Sequence, residues 1–174
     1  MTVSIRSFFA ACDDKILAIN TFFQQYNLLD KVIADHIGYK CSTSTEFEEL
    51  RQLLEPHSLY LYQSYISGRR IVYFKLKRPV LTLLGPIYFF ELSDQKMDGK
   101  QTSGFDHIEI FSKKSTATQL VSDLKKQGVV IVKTDRPHHT TYDIKLIKEF
   151  KLKIEEERLL DKIMREEMGS KIIT

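Results

Sequence analysis

Twice along these 174 residues the tripeptide Asp-His-Ile opens a run of strand-forming residues, at Asp35-His36-Ile37 and again at Asp106-His107-Ile108. Behind each tripeptide the patterning follows one order. In the first pass a strand over 34–41 leads to a helix over 45–55, ended by Pro56. Three runs rich in Tyr, Ile, Val, Phe and Leu follow, over 59–66, 70–76 and 80–92, with Ser67-Gly68 as a hairpin turn between the first two. In the second pass a strand over 105–111 leads to a helix over 116–127, closed by Gly128 as a left-handed cap. Strand-like runs then fall at 129–133, 140–147 and 149–154. The order is βαβββ, twice, which predicts an α+β fold made by duplication. Related by a pseudo-twofold, the two opening strands would bring His36 and His107 toward one centre.

The modules span 30–92 and 105–155 of a single domain, 1–174. A helical segment over 4–28 precedes them, with Ile5, Phe8, Phe9, Cys12, Ile16, Ile19, Phe22, Phe23 and Tyr26 on one face and a break expected near Asp13-Asp14. A last helix over 155–168 carries Leu159, Leu160, Ile163 and Met164 on one stripe. With 43% hydrophobic and 28% charged residues the chain can bury a core without disulfides, and it is neither disordered nor collagen-like. Net charge is +3, divided +2 and +1 between residues 1–90 and 91–174, so there is no basic arm and nucleic acid is not expected as a partner. Residues 1–8 lack the apolar run of an export signal, and the longest uncharged stretch, 80–90, is far short of the ~20 residues of a membrane span. Cys12 and Cys41 lack metal-site spacing and read as buried free thiols of a cytoplasmic protein.

Strand alternation groups the polar side chains. On the second opening strand, Phe105, His107, Glu109 and Phe111 share one face and Asp106, Ile108 and Ile110 the other. Glu91 shares a face with Ile87 and Phe89, and Tyr73 shares one with Lys75 and Lys77. On the last strand Phe150, Leu152 and Ile154 alternate with Glu149, Lys151 and Lys153. One greasy face and one face of His, Glu, Lys and Tyr make a sheet with a polar side on which a site can stand. Glu109 reads either as a general base or as a solvated carboxylate, and Lys75 and Lys151 either as anion-binding groups or as the wet edge of the sheet. Cys41 falls opposite His36, in the core. His138-His139 and His57 follow prolines and read as loop-surface residues. Lys113-Lys114 and Lys125-Lys126 read as solvated charge.

Tandem βαβββ modules with a histidine on the first strand of each and a glutamate on the fourth resemble the vicinal oxygen chelate superfamily, which includes glyoxalase I, extradiol dioxygenases and bleomycin-resistance proteins. The stretches Ala34-Asp35-His36-Ile37, Gly68-Arg69-Arg70-Ile71 through Phe74-Lys75-Leu76, Pro79-Val80 and His107-Ile108-Glu109-Ile110 resemble the YecM family of bacterial proteins, over about residues 5–168. The resemblance implies a cup-shaped, eight-stranded mixed sheet with a divalent metal ion (Zn, Fe, Mn or Ni) on its floor, held by His36, Glu91 and His107. The superfamily usually takes a fourth ligand, a glutamate, from the eighth strand. Here the central positions of that strand are lysines, so either Glu149 or Glu155 bends in or the ion has three protein ligands, and three are favoured. The expected function is metal-dependent isomerase, dioxygenase or lyase chemistry on a small oxygen-rich anion, with Glu109 as base and Tyr73, Lys75 and Lys151 binding substrate. The alternative is a cup that sequesters a small molecule without turnover.

Overall fold

Eight strands hydrogen-bond into one sheet, in the order β2-β3-β4-β1-β5-β8-β7-β6. The structure is a computed structural model and describes residues 4–135 and 140–171; His138-His139 lies outside the described residues. The strands are β1 (Val32–Lys40), β2 (Ser58–Ile66), β3 (Arg69–Thr82), β4 (Gly85–Ser93), β5 (Gly104–Ser112), β6 (Val132–Asp135), β7 (Thr140–Ile147) and β8 (Phe150–Glu155). Read outward from the centre, one half runs β1-β4-β3-β2 and the other β5-β8-β7-β6, so the halves correspond strand for strand. The two opening strands, β1 and β5, pair antiparallel across the middle. Each also pairs parallel with the closing strand of its own module, β1 with β4 and β5 with β8.

Local chemistry sets the helices. α1 (Ile5–Ala10) opens with a capping box between Ser4 and Ser7. The chain then breaks at Ala11 and Cys12 and restarts as α2 (Asp13–Gln25), where Asp13 and Asp14 complement the positive end of the helix. The side chain of Thr43 caps α3 (Ser44–Leu54), and Thr116 with Gln119 forms a capping box on α4 (Ala117–Lys126). Ser67 and Gly68 both take positive φ, the geometry of a tight hairpin turn. Phe23, Phe47, Phe74, Phe90 and Phe150 are fully buried in a core that α1 to α4 form against one face of the sheet. The opposite face carries α5 (Leu159–Lys171), whose Leu159 and Ile163 pack on Ile71 and Tyr73, with Tyr62, Ile66 and Phe89 around them. Among the described residues, no helix is long and apolar enough to cross a membrane.

Several expected boundaries move. The run over 80–92 is two strands. β3 continues through Pro79 to Thr82, and β4 begins at Gly85, whose φ of +105° turns the chain. The register slips between Lys75 and Val80, so the extra β3 residues bulge where Pro79 has no N–H to donate. Strand β6 starts at Val132, and β8 runs on to Glu155, which moves the start of the last helix to Leu159. Cys12 and Cys41 are buried free thiols, as expected.

Candidate metal centre

Each Asp-His-Ile carries a bulge at its aspartate. Between β1 and β5, Ala34 faces Ile110 and His36 faces Glu109, which leaves Asp35 as the extra residue on β1. Gly38 faces His107 and Tyr39 faces Phe105, which leaves Asp106 as the extra residue on β5. A bulge cancels the alternation that would send neighbouring side chains to opposite faces. Each aspartate therefore reaches the ring that follows it: Asp106 Oδ2 lies 2.9 Å from His107 Nδ1, and Asp35 Oδ2 lies 3.4 Å from His36 Nδ1. This corrects the alternation expected for β5. Phe105 turns into the helix-side core against Phe8, Tyr39 and Phe90, and Asp106 stays beside His107. Ile87, expected beside Glu91, also belongs to that core.

With an aspartate at each Nδ1, the two Nε2 atoms point inward. Both are buried and neither has a hydrogen-bond partner. Glu91 Oε2 lies 3.6 Å from His36 Nε2, and one ligand atom each from His36, Glu91 and His107 can be chosen with all three within 4.8 Å of one another. Bonds of ~2.1 Å to a tetrahedral ion set its ligand atoms about 3.4 Å apart, so modest inward movement of the side chains completes the set. Two imidazole Nε2 atoms and a carboxylate around one point are a donor set that fits a divalent transition metal. Buried polar atoms without partners call for an explanation, and a shared cation supplies one.

Glu109 stands at the same point. Its oxygens lie 3.6 Å from His36 Nε2, 3.5 Å from His107 Nε2 and 3.3 Å from the ammonium of Lys153. Tyr73 faces Glu91 across the strand pair and meets the His36 ring edge-on at 6.1 Å. The structure thus brings together His36, Glu91, His107, Glu109 and Tyr73. Lys75 is exposed, beyond Phe89. Lys151 pairs with Asp143 at 3.0 Å and, with Lys40 and Asp106, lines a cavity of about 280 Å³ that His107 does not line.

Burial disfavours charge on both histidines, but their neighbours differ. For His36, the nearby carboxylates of Glu109, Asp35 and Glu91, each within 3.6 Å of a ring nitrogen, override burial and push the ring up to about 10. For His107, burial and then the Lys153 charge win, and its pKa falls. Burial also opposes charge on Glu91 and Glu109, yet the histidines and Lys153 hold both carboxyls low. Burial and then Glu91 push the Tyr73 hydroxyl well above its usual range.

Sequence reasoning passed over three contributors. Gly38 is the place on β1 where the His107 ring lies: a Cβ built there would sit 2.2 Å from His107 Cε1. A glycine inside a strand pattern is the available signal for such close approach. Lys153 reads in sequence only as one of the polar-face residues of β8, yet its side chain is only 12% exposed and reaches Glu109. The closing of the site by α5 was not foreseen. Asp35 accepts the Leu159 amide at 2.8 Å, Tyr62 donates to Glu166 at 2.7 Å, and His36 and His107 are each 2% exposed.

A sequence model of the family described as "YecM protein" matches residues 8–165. No curated protein matches the chain. Among solved structures, one described as "Structural Genomics, Protein EC4020" superposes with TM-score 0.73 and 19% identity, covering 93% of this chain and 92% of its own. The hydroxyglutarate synthase from Oryza sativa, solved in complex with 2-oxoadipate, superposes with TM-score 0.56 and 9% identity, covering 92% of this chain and 82% of its own.

Proposed function

The chain belongs to the YecM family and has the cup-shaped sheet of the vicinal oxygen chelate fold, and from that premise we propose that it is a divalent-metal protein acting on a small oxygen-rich anion. The observation that carries this reading is the pair of buried Nε2 atoms without hydrogen bonds that lie, with a Glu91 oxygen, within 4.8 Å of one another. In it, His36, Glu91 and His107 hold the ion. Asp35 and Asp106 fix the ring orientations, as outer-shell carboxylates commonly do for ligand histidines. A bound ion supplies Lewis acidity, stabilising negative charge that develops on two substrate oxygens.

Glu109, ionised and facing both imidazoles, accepts a proton from a substrate bound beside it. Tyr73 donates its phenolic hydrogen to a substrate oxygen, and its raised pKa keeps it a donor at neutral pH. Lys40 and Lys151 draw an anion to the cavity they line. The enclosure of the site under α5 also favours a second reading, in which the cup holds an anion without turning it over.

Protein purified without chelator or nickel resin is expected to carry about one divalent ion per chain. Titration with 2-oxoadipate, chosen as a 2-oxo acid, is expected to show at least tenfold tighter binding to the metal-loaded form. Equal affinity for the two forms would sink the proposal. Glu109→Gln is expected to lower any turnover ~10²–10⁴-fold while leaving metal content in place. If no turnover is found in the wild type while the anion binds, the sequestering reading stands.

Metal uptake also has a pH signature. His36 is protonated in the metal-free protein from its ordinary 6.5 up to about 10, and a cation can bind its Nε2 only by expelling that proton. Metal affinity is therefore expected to rise about tenfold per pH unit across that window, with one proton released per ion at pH 8. Calorimetry in two buffers of different ionisation enthalpy measures that proton. The linked effect on the metal-free fold has the opposite sign: the His36 contribution is complete below 6.5 and is lost as pH rises through about 10.

A further inference from the structure

The two halves of the sheet share the histidine and differ at the positions matched around it. In the first, β1 and β4 run parallel with His36 beside Phe89 and Gly38 beside Glu91. In the second, β5 and β8 run parallel with His107 beside Lys151 and Glu109 beside Lys153. The mate of His36 is His107, and the mate of Glu91 is Lys153. Where the pseudo-twofold would place a second carboxylate on the closing strand, this chain has an ammonium. The carboxylate stands one strand over, on Glu109, and is ion-paired to that lysine at 3.3 Å.

We propose that Lys153 is a built-in cation of the site, competing with a divalent ion for Glu109 and making the loaded site demand an anionic ligand. The inference rests on the metal reading above. Its argument is charge. The groups facing the centre are Glu91, Glu109, the two imidazoles and Lys153. Of the other nearby carboxylates, Asp106 is paired with Lys40 and Glu155 with Lys162, while Asp35 faces His36 Nδ1 and accepts the Leu159 amide. A divalent ion held by His36, Glu91 and His107 would share the buried centre with the Lys153 ammonium, 3.3 Å from Glu109. An anion entering the loaded centre then meets two cations, and removing the ammonium weakens that attraction. While Lys153 holds Glu109, the ion keeps two imidazoles and one carboxylate, with positions left for the anion's oxygens. Without the ammonium, Glu109 is free to become a fourth ligand.

Lys153→Met is expected to tighten divalent-ion binding at least about tenfold, since a unit charge a few ångströms away is removed from a low-dielectric site. Binding of oxalate to the metal-loaded protein is expected to weaken at least about tenfold, for the same reason. A merely structural lysine would not move these two constants in opposite directions. Adding Glu109→Gln to Lys153→Met should abolish most of the gain in metal affinity, and Lys153→Arg, which keeps the charge, should stay near wild type. Zinc affinity is read by competition with a chromophoric chelator, and oxalate affinity by calorimetry. If the wild type binds zinc and Lys153→Met binds it equally or more weakly, the inference fails and the metal reading survives. If only Lys153→Met binds zinc, the inference holds and the metal reading of the native chain fails. If neither binds, both fail.

Discussion

Gly38→Ala is expected to strip the site of metal without altering any ligand. The His107 ring occupies the space into which a Cβ at residue 38 would project, with Cε1 at 2.2 Å and both ring nitrogens at 2.7 Å. No heavy atoms sit that close, so either the ring or the β1–β5 pairing must shift. The ring is tethered to Asp106, and Asp106 is tethered to Lys40, which leaves little slack in that direction. Overpacking of a core costs typically ~1–3 kcal/mol, so the variant should still fold. Losing an outer hydrogen-bond partner lowers metal affinity ~10–100-fold, and displacing a ligand ring should exceed that, approaching the effect of His107→Ala. Thermal unfolding and metal content measured on one preparation separate the two effects. A folded Gly38→Ala protein with normal metal content would show that His107 is not a ligand.

The paired substitution Leu159→Ala, Ile163→Ala should release α5 from the sheet. Each side chain is 3% exposed, and both belong to a small cluster of their own, separate from the main core. Leu→Ala and Ile→Ala in buried positions cost ~2–5 kcal/mol each, more than a helix held by so few apolar contacts can absorb. The remaining anchors include the hydrogen bond from the Leu159 amide to Asp35, the Lys162–Glu155 ion pair and the hydrogen bonds of Tyr62 and Ser64 to Glu166 and of Tyr60 to Glu167, most of them partly solvated. The main sheet, with its core on the other face, should stay folded. Hydrogen exchange is expected to collapse for α5 amides while β1, β4 and β5 stay protected. Zinc uptake in stopped flow should accelerate at least tenfold with its equilibrium affinity little changed. An unchanged uptake rate would mean that ions reach the centre by another route, past Lys40 and Asp106.

The repeat was legible because two copies of one patterned unit report on each other. The matched tripeptides aligned the opening strands, and with them His36 and His107. Glu91 was legible as the lone carboxylate on an otherwise apolar stretch. Strict alternation misled at Phe105 and Asp106, because one inserted residue reverses every face beyond it and nothing in the letters marks the insertion. Lys153 was visible, but periodicity places a lysine on a face without saying whether that face is wet. Its burial follows from α5, whose apolar stripe of Leu159 and Ile163 was read as a helix without a stated partner surface. Pro79 misplaced the β3–β4 boundary, since a proline inside a bulge and a proline between strands look the same in sequence.

The mismatch between Gly38 and Glu109, and between Glu91 and Lys153, bears on how a substrate lies in the cup. A site with true twofold symmetry offers any ligand two equivalent poses, related by a half-turn, and both are populated equally. Here a half-turn exchanges a carboxylate for an ammonium and a glycine under the His107 ring for a second carboxylate. For an anion with one charged and one neutral end, the two poses then differ by the interaction of that charged end with Glu91 or with Lys153, which inside a buried site is worth several times the thermal energy. One pose survives. The fusion of two modules into one chain is what permits this, because a pair of identical subunits would carry each substitution twice and restore the ambiguity.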